Sequence, residues 1–279
     1  MRKKESWKNS EQTMQNLYII KLGGSVITEK EGNRFEAKEK ALARIASEIK
    51  QAMEEKKFSL IAVHGAGPFG HTNVMEYGIN NGVHTEKQKE GYEKTVKDCN
   101  FLNSRVVAAL GKARIDAVAF DPNKIVIQDN KKIAEFETRQ VGNALALGKV
   151  PVLFGQMVPD KSLNASVVSG DTIIAFLAKE FKPKKIFLGT DVAGIFTADP
   201  KKDSKAKRIP LIDKSNFEKI IEKVKGSSAI DVTGGMKGKL EKLGKMLQGT
   251  TAVIFDAGKE GNVYKALTGK KVEGTEVRL

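Results

Sequence analysis

Five short stretches of this chain bring glycine, lysine, aspartate and histidine together at spacings that suit phosphate chemistry. In the first, Lys21 is followed by Gly23, Gly24 and Ser25, then by Thr28 and Lys30. A glycine pair just after a strand aims backbone N–H groups at an oxyanion, Lys21 adds a charge beside them, and Lys30 returns a second from the loop. The same residues also suit an ordinary tight turn. The second stretch is "HGAGPFGH", His64 to His71. Gly65, Gly67 and Gly70 let the backbone approach a ligand closely and match the G-x-G-x-x-G pattern of dinucleotide sites, with Ala66 between the first two. That pattern normally belongs to the first strand–helix turn, whereas here it follows the second strand. Pro68 also removes one N–H donor from the loop. His71 begins the helix that follows, as an anion contact, a local cap or a hydrogen-bonded core residue.

The third stretch is "SGDTI". Ser169 or Asp171 can cap a helix there, and a carboxylate at that place can also orient lysines arriving from other strand ends. A general base is unnecessary if the acceptor is a phosphate, which is already ionised. In the fourth, "TDVAGIFTADP", a strand ends at Thr190-Asp191 and turns through Gly194, as a polar loop or one side of a nucleotide pocket. The fifth, "DVTGGMKGK", sets Thr233 as an N-cap, Gly234-Gly235 at a helix start, and Lys237 and Lys239 in the first turns. Cations there oppose the helix dipole, a conflict that a bound anion removes.

The elements that must carry these motifs alternate. A short strand begins at Leu17 and ends at Lys21, a helix covers 36–56, and a second strand runs from Phe58 to Val63. A long helix over about 86–111 has Tyr92, Val96, Cys99, Leu102, Val106 and Leu110 on one face. Further strands are expected near 115–120, 124–128, 150–154 and 184–190, with helices near 138–148 and 170–181. The last third adds helices at 215–224 and 234–248 and strands at 251–256 and 273–278. The expected class is α/β, an open sheet, mainly parallel and covered on both faces, with ligands at the carboxyl ends of the strands. A polar, turn-rich segment near 160–168 divides an acceptor-side lobe, 17–165, from a second lobe, 166–279. Residues 1–16 lack apolar periodicity and read as a mobile tail.

Composition narrows the partners. The 279 residues, 40% hydrophobic and 29% charged, can bury a substantial core, and no apolar run reaches the ~18 residues that span a bilayer. One cysteine, Cys99, excludes an internal disulfide and suits a reducing cytoplasm, as does the polar segment where a signal peptide needs its apolar core. Three histidines are too few to support a zinc site. The net charge of +14 favours anionic partners. Without zinc-finger spacing, a basic heptad region or an aromatic RNA-binding signature, the lysine clusters read as solvated surface rather than a nucleic-acid site.

Taken together and in this order, the five motifs resemble the amino acid kinase superfamily, and within it the isopentenyl phosphate kinase family. His71 and the Thr28/Lys30 loop favour that family over acetylglutamate, carbamate and uridylate kinases. The resemblance implies an open αβα sandwich, usually dimeric, that transfers the γ-phosphoryl of MgATP to isopentenyl phosphate. It implies that Lys21 contacts the transferring phosphoryl, with Gly23, Gly24 and Ser25 cradling it and Lys30 guarding the same region. Lys239 and Gly235 belong to the ATP side with Thr190, Asp191 and Gly194. His71, with Gly65, Ala66, Gly67 and Gly70, holds the acceptor's phosphate, and Asp171 organises the lysines. No metal ligand is implied, Mg²⁺ being held by ATP and water. Pro68 departs from the small residue, often serine, that the family usually has there. The competing expectations are a fosfomycin-type phosphonate kinase, a nucleotide-binding protein of this fold without turnover, and a nicotinamide-dependent dehydrogenase with Glu86 or Glu90 on the ribose.

Overall fold

A computed structural model describes residues 16–31, 34–198, 200, 202–225, 244, 247 and 249–279, by backbone alone at 30, 31, 34 and 223–225. The expected tail before Asn16 and most of the expected helix at 234–248, with Gly235 and Lys239, lie outside the described residues.

Leu17, Tyr18, Ile19, Ile20 and Leu22 are all buried, as a strand covered on both faces requires, and they form β1 (Leu17–Leu22). After a single helical turn, α1 (Gly24–Ile27), the chain makes an antiparallel hairpin of β2 (Thr28–Glu31) and β3 (Arg34–Ala37). Residues 36 and 37, expected to open a helix, are held in this hairpin, so α2 starts later (Glu39–Glu55). Its buried stripe of Leu42, Ile45, Ala46, Ile49 and Ala52 has the spacing of one helix face. Strand β4 (Ser59–His64) follows, then α3 (Pro68–Glu76) and α4 (Glu86–Lys112), the latter capped by Thr85 Oγ1, which accepts from Gln88 N at 3.2 Å. Helix α3 begins three residues before His71, because proline is well suited to the first helical position, where no intrahelical partner is needed.

The middle of the chain contributes β5 (Ala117–Ala119), α5 (Pro122–Ile125), β6 (Val126–Asp129), β7 (Lys132–Phe136), α6 (Arg139–Ala146) and β8 (Val150–Phe154). Next come β9 (Gln156–Asp160), β10 (Asn164–Val168), α7 (Gly170–Phe181) and β11 (Lys185–Thr190). The turn-rich segment near 160–168 is thus the tip and second arm of the β9–β10 hairpin. The last third supplies β12 (Ile195–Phe196), β13 (Arg208–Ile209), β14 (Leu211–Asp213), α8 (Phe217–Lys225), β15 (Thr251–Asp256), α9 (Asn262–Thr268) and β16 (Gly274–Arg278).

Eight strands form one sheet in the order β14-β16-β15-β11-β1-β4-β8-β5, parallel from β15 to β5, with β16 antiparallel to β15. Its side chains alternate between two cores. Leu17 and Ile19 join Ile61, Val63 and the Ile173, Ile174 and Leu177 of α7 on one face. Tyr18, Ile20 and Leu22 join Ile45 and Ile49 of α2 and Leu102 and Val106 of α4 on the other. A smaller sheet, β10-β9-β6-β7, is organised by Asp160. Its carboxylate is 3% exposed and accepts from the N–H groups of Asn130, Lys131, Ser162 and Leu163 and from Ser166 Oγ. Burial raises the carboxyl's pKa, but the Ser166 hydroxyl and the amides outweigh burial and bring it down to about 2. Among the described residues, no helix is long and apolar enough to cross a membrane.

Candidate active site at the carboxyl edge of the sheet

Strand β1 lies between β11 and β4, the point at which successive connections leave toward opposite edges of the sheet. Open α/β sheets place ligands beyond the strand ends at such a switch point. The carboxyl edge is tied together by backbone bonds that continue past the strands: Gly23 N to Gly189 O at 2.9 Å, Gly65 N to Leu22 O at 2.9 Å and Gly155 N to His64 O at 3.0 Å. Four loops therefore share one rigid rim.

Alternation decides where Lys21 goes. It shares a face with Leu17 and Ile19, the face covered by α7, and pairs in register with Val63 and Leu188. Its Nζ donates to Asp171 Oδ1 at 2.6 Å, 150 residues away in sequence. Ser169 is the N-cap of α7, its Oγ accepting from Thr172 N at 3.1 Å, so Asp171 in the first turn is left to meet the lysine. The pair is partly exposed, Lys21 at 21% and Asp171 at 45%, so its contribution to stability is small and its effect is to orient the ammonium group.

The two glycine motifs meet backbone to backbone. A Cβ on Gly24 would lie 2.6 Å from Gly67 N, and one on Gly65 would lie 2.8 Å from Gly24 N. Gly67 has φ +53°, and a Cβ there would meet Thr28 Oγ1 at 2.4 Å, while that hydroxyl donates to Gly24 O at 2.7 Å. Only glycine permits this contact and this conformation. Gly70 packs on Ala66 and Cys99 in the same way. Burial, with Asp98 and Asp121 nearby, pushes the Cys99 thiol up to about 12, which keeps it protonated and inert.

The donor set is suited to anions. The N–H groups of Ala66 and Gly67 make no hydrogen bond among the described residues. Helices α3 and α7 both begin at this rim, with their positive ends toward it. A Cβ on Gly155 would lie 3.5 Å from Gly170 N and 3.8 Å from Ala66 N, so the amide nitrogens of two loops come together beside Gly155. In α3, Pro68 has no N–H, and Gly70 and His71 N donate to Gly67 O at 3.3 and 3.1 Å. The donors this loop leaves available therefore include the N–H groups of Ala66 and Gly67 and the exposed His71 side chain.

Thr190 closes β11, its Oγ1 donating to Val192 O and accepting from Val192 N, which makes the tight turn that exposes Asp191. Gly194 is buried farther along, where a Cβ would meet Thr275 Oγ1 of β16 at 2.5 Å, so packing accounts for this glycine. Ser25 is exposed, and its carbonyl accepts from Lys38 Nζ at 2.9 Å. The backbone of Lys30 lies in β2, paired with Phe35, and its side chain lies outside the described residues. The motif reading overlooked Gly155, Gly170, Lys38 and the buried His64. A histidine closing an apolar strand was the visible signal for the last.

Comparison with known proteins supplies the family. Residues 16–256 match the model of the amino acid kinase family, and the chain belongs to that family. Two curated relatives, both named isopentenyl phosphate kinase, are from Methanothermobacter thermautotrophicus, 35% identical over 94% of this chain and 98% of the relative, and Methanocaldococcus jannaschii, 36% identical over the same shares. A crystal structure of isopentenyl phosphate kinase superposes with a TM-score of 0.79 at 32% identity, covering 94% of this chain and all of the other.

Proposed function

We infer that this chain is an ATP-dependent kinase that phosphorylates isopentenyl phosphate, giving isopentenyl diphosphate, an isoprenoid building block, and ADP. The observation that carries the reading is the Lys21–Asp171 pair, held at 2.6 Å at the switch point beside two glycine loops in backbone contact. The identity with kinases of this name over nearly the whole chain supports the substrate.

An oxygen of the acceptor's phosphate attacks the γ-phosphorus in line, and the bond to the β-phosphate bridging oxygen breaks as ADP leaves. Two phosphates repel each other, so the main requirements are positive charge and alignment, and no general base is needed. Lys21, aimed by Asp171, neutralises charge on the transferring phosphoryl, and Gly23, Gly24 and Ser25 line its path. Ala66, Gly67 and His71, with Gly65 and Gly70 shaping the loop, hold the acceptor's phosphate. A charged hydrogen bond from His71 selects a phosphorylated acceptor over a neutral alcohol. Thr190, Asp191 and Gly194 belong to the nucleotide side, together with Gly235 and Lys239, and Lys30 guards the region of the transferring phosphoryl.

Mg²⁺ would arrive with ATP, held by the nucleotide's phosphates and water rather than by side chains, and would supply positive charge against theirs. Residues 17–165 form the acceptor side and 166–279 the nucleotide side of a cytoplasmic homodimer. The test is ADP release with MgATP and isopentenyl phosphate for the wild type and His71→Ala. A rise in acceptor KM of about 10-fold or more, with ATP KM within about twofold, is expected for loss of one charge-assisted hydrogen bond. An unchanged acceptor KM would remove His71 from the clamp.

A further inference from the structure

His64 is 1% exposed at the end of β4, directly before the glycine loop, and the mechanism above makes no use of it. Alternation along β4 puts it on the face of Leu60 and Ala62, toward α4. Its ring stacks on Phe154, with centroids 5.2 Å apart and planes 9° from parallel. Nδ1 lies 3.1 Å from Gly65 O, and Nε2 lies 3.1 Å from Asn103 Oδ1 on α4. Every polar atom of the ring is therefore engaged.

Two acceptors facing both ring nitrogens would require an imidazolium. Burial lowers the pKa of this histidine, against the opposing effect of its bonds to Gly65 and Asn103, and so favours the neutral ring. A neutral imidazole has one N–H. The Gly65 carbonyl can only accept, so Nδ1 must carry the proton. Nε2 then accepts from the Asn103 amide, whose NH₂ reaches it by a half-turn of the side chain.

The consequence lies on the other side of the peptide. The Gly65–Ala66 peptide is trans, so the Gly65 C=O and the Ala66 N–H point in opposite directions. With the carbonyl held by the ring, the Ala66 N–H faces away from His64. It has no hydrogen-bond acceptor among the described residues, and Ala66 N lies, with Gly170 N, near the position a Cβ on Gly155 would take. Glycine at 65 offers little resistance to rotation of this peptide, so an external restraint has something to do.

We propose that His64 is a positioning residue that fixes the Gly65–Ala66 peptide through an Nδ1–H···O=C bond and thereby aims the Ala66 N–H at the phosphate bound in the glycine loop. The proposal rests on the reading of that loop as the clamp for the acceptor's phosphate. It also accounts for a buried histidine in a position where an apolar residue would pack as well on Phe154.

The experiment has two parts on the full chain. In histidine-¹⁵N-labelled protein at pH 7, two-bond ¹⁵N–¹H correlations identify the His64 tautomer. The Nδ1–H form is expected, and an Nε2–H form or an imidazolium overturns the proposal even if no variant folds. The kinetic part compares His64→Phe, which keeps the stacked ring but has no donor, with His64→Asn, whose amide nitrogen falls near Nδ1. His64→Phe should raise the KM for isopentenyl phosphate by about 10-fold or more, the loss of one aligned charge-assisted bond. His64→Asn should recover most of it, although it packs less well and melts lower. A purely structural role predicts the reverse order, and that order overturns the proposal. If His64→Phe raises the ATP KM instead, with Asn again the rescue, the positioning role stands and the acceptor reading of the loop fails.

Discussion

Replacing Gly24 by alanine tests whether the two glycine loops must touch for the reaction to proceed. The new Cβ would sit 2.6 Å from Gly67 N and 2.7 Å from Gly67 Cα. Both are backbone atoms, which cannot swing aside as a flexible side chain can. Relief to the 3.4 Å of an ordinary contact separates the loops by about 0.8 Å. Gly67 is further braced against Thr28, so the movement must pass into the Lys21–Ser25 turn or the 65–67 loop. A displacement of about 1 Å between reacting groups can cost about 10²-fold in rate, whereas overpacking costs roughly 1–3 kcal/mol of stability. Gly24→Ala should therefore lower kcat for ADP release by about 100-fold at saturating ATP and isopentenyl phosphate, with a melt only several degrees lower. The control is Gly111→Ala in α4, where nothing lies within 4 Å of the added Cβ and the helix should be unaffected or gain up to about 1 kcal/mol. A folded Gly24→Ala enzyme with kcat within about twofold of wild type would refute the argument that loop contact sets the reaction geometry.

Three other perturbations separate orientation from stability. Asp171→Asn removes the charge that aims Lys21 and should lower kcat by about 10–100-fold with stability within about 1 kcal/mol, because the pair is partly exposed; a matching drop in stability would contradict the orienting role. Asp160, its carboxyl lowered from 3.8 to about 2, contributes on the order of 2 kcal/mol at pH values above its unfolded pKa, and this is lost as pH falls through the folded value. The urea stability gap between wild type and Asp160→Asn should thus be full at pH 6 and narrow between about pH 4 and pH 2; a gap independent of pH would show that the carboxylate charge is not what holds the hairpins. Glu48, 5% exposed on α2, accepts from the N–H groups of Gly261, Val263 and Tyr264 at the start of α9 and pairs with Arg44 at 2.6 Å. Glu48→Ala should cost about 3–5 kcal/mol in urea unfolding with little change in KM, and a loss under 1 kcal/mol would contradict its bridging role.

Much of this architecture is legible in the sequence. The apolar runs of β1, β4, β8, β11 and β15 and the stripes of the two longest helices were visible because burial on both faces, or on one helix face, leaves its period in the residues themselves. Of the small hairpins only β6 was legible, as a strand expected near 124–128 whose first residues instead close a helical turn at Pro122–Ile125. Arg34–Ala37 and Lys132–Phe136 carry charges within short strands, and their pairing comes from a partner strand rather than from local apolar pattern. Helix α9 was missed for a related reason: seven residues make a weak periodic signal, and its start is satisfied by Glu48, more than 200 residues earlier.

The site divides along the same line. Residue types and order by themselves determined the family and pointed to the chemistry proposed for it: glycines for close approach, lysines and His71 for anions, and a helix-opening Asp171. Spacing along the chain contains no distance between residues 21 and 171, nor between 24 and 67. Those depend on strand order and on which face of the sheet each side chain takes. Tertiary structure alone decided that Lys21 meets Asp171, that Ser169 rather than Asp171 caps α7, and that the two glycine loops lock together. It also turned His64, in sequence a polar end to an apolar strand, toward the loop carbonyl it holds. The physical reason is that alternation along a strand is local, whereas the neighbour across a parallel sheet is supplied by a distant crossover.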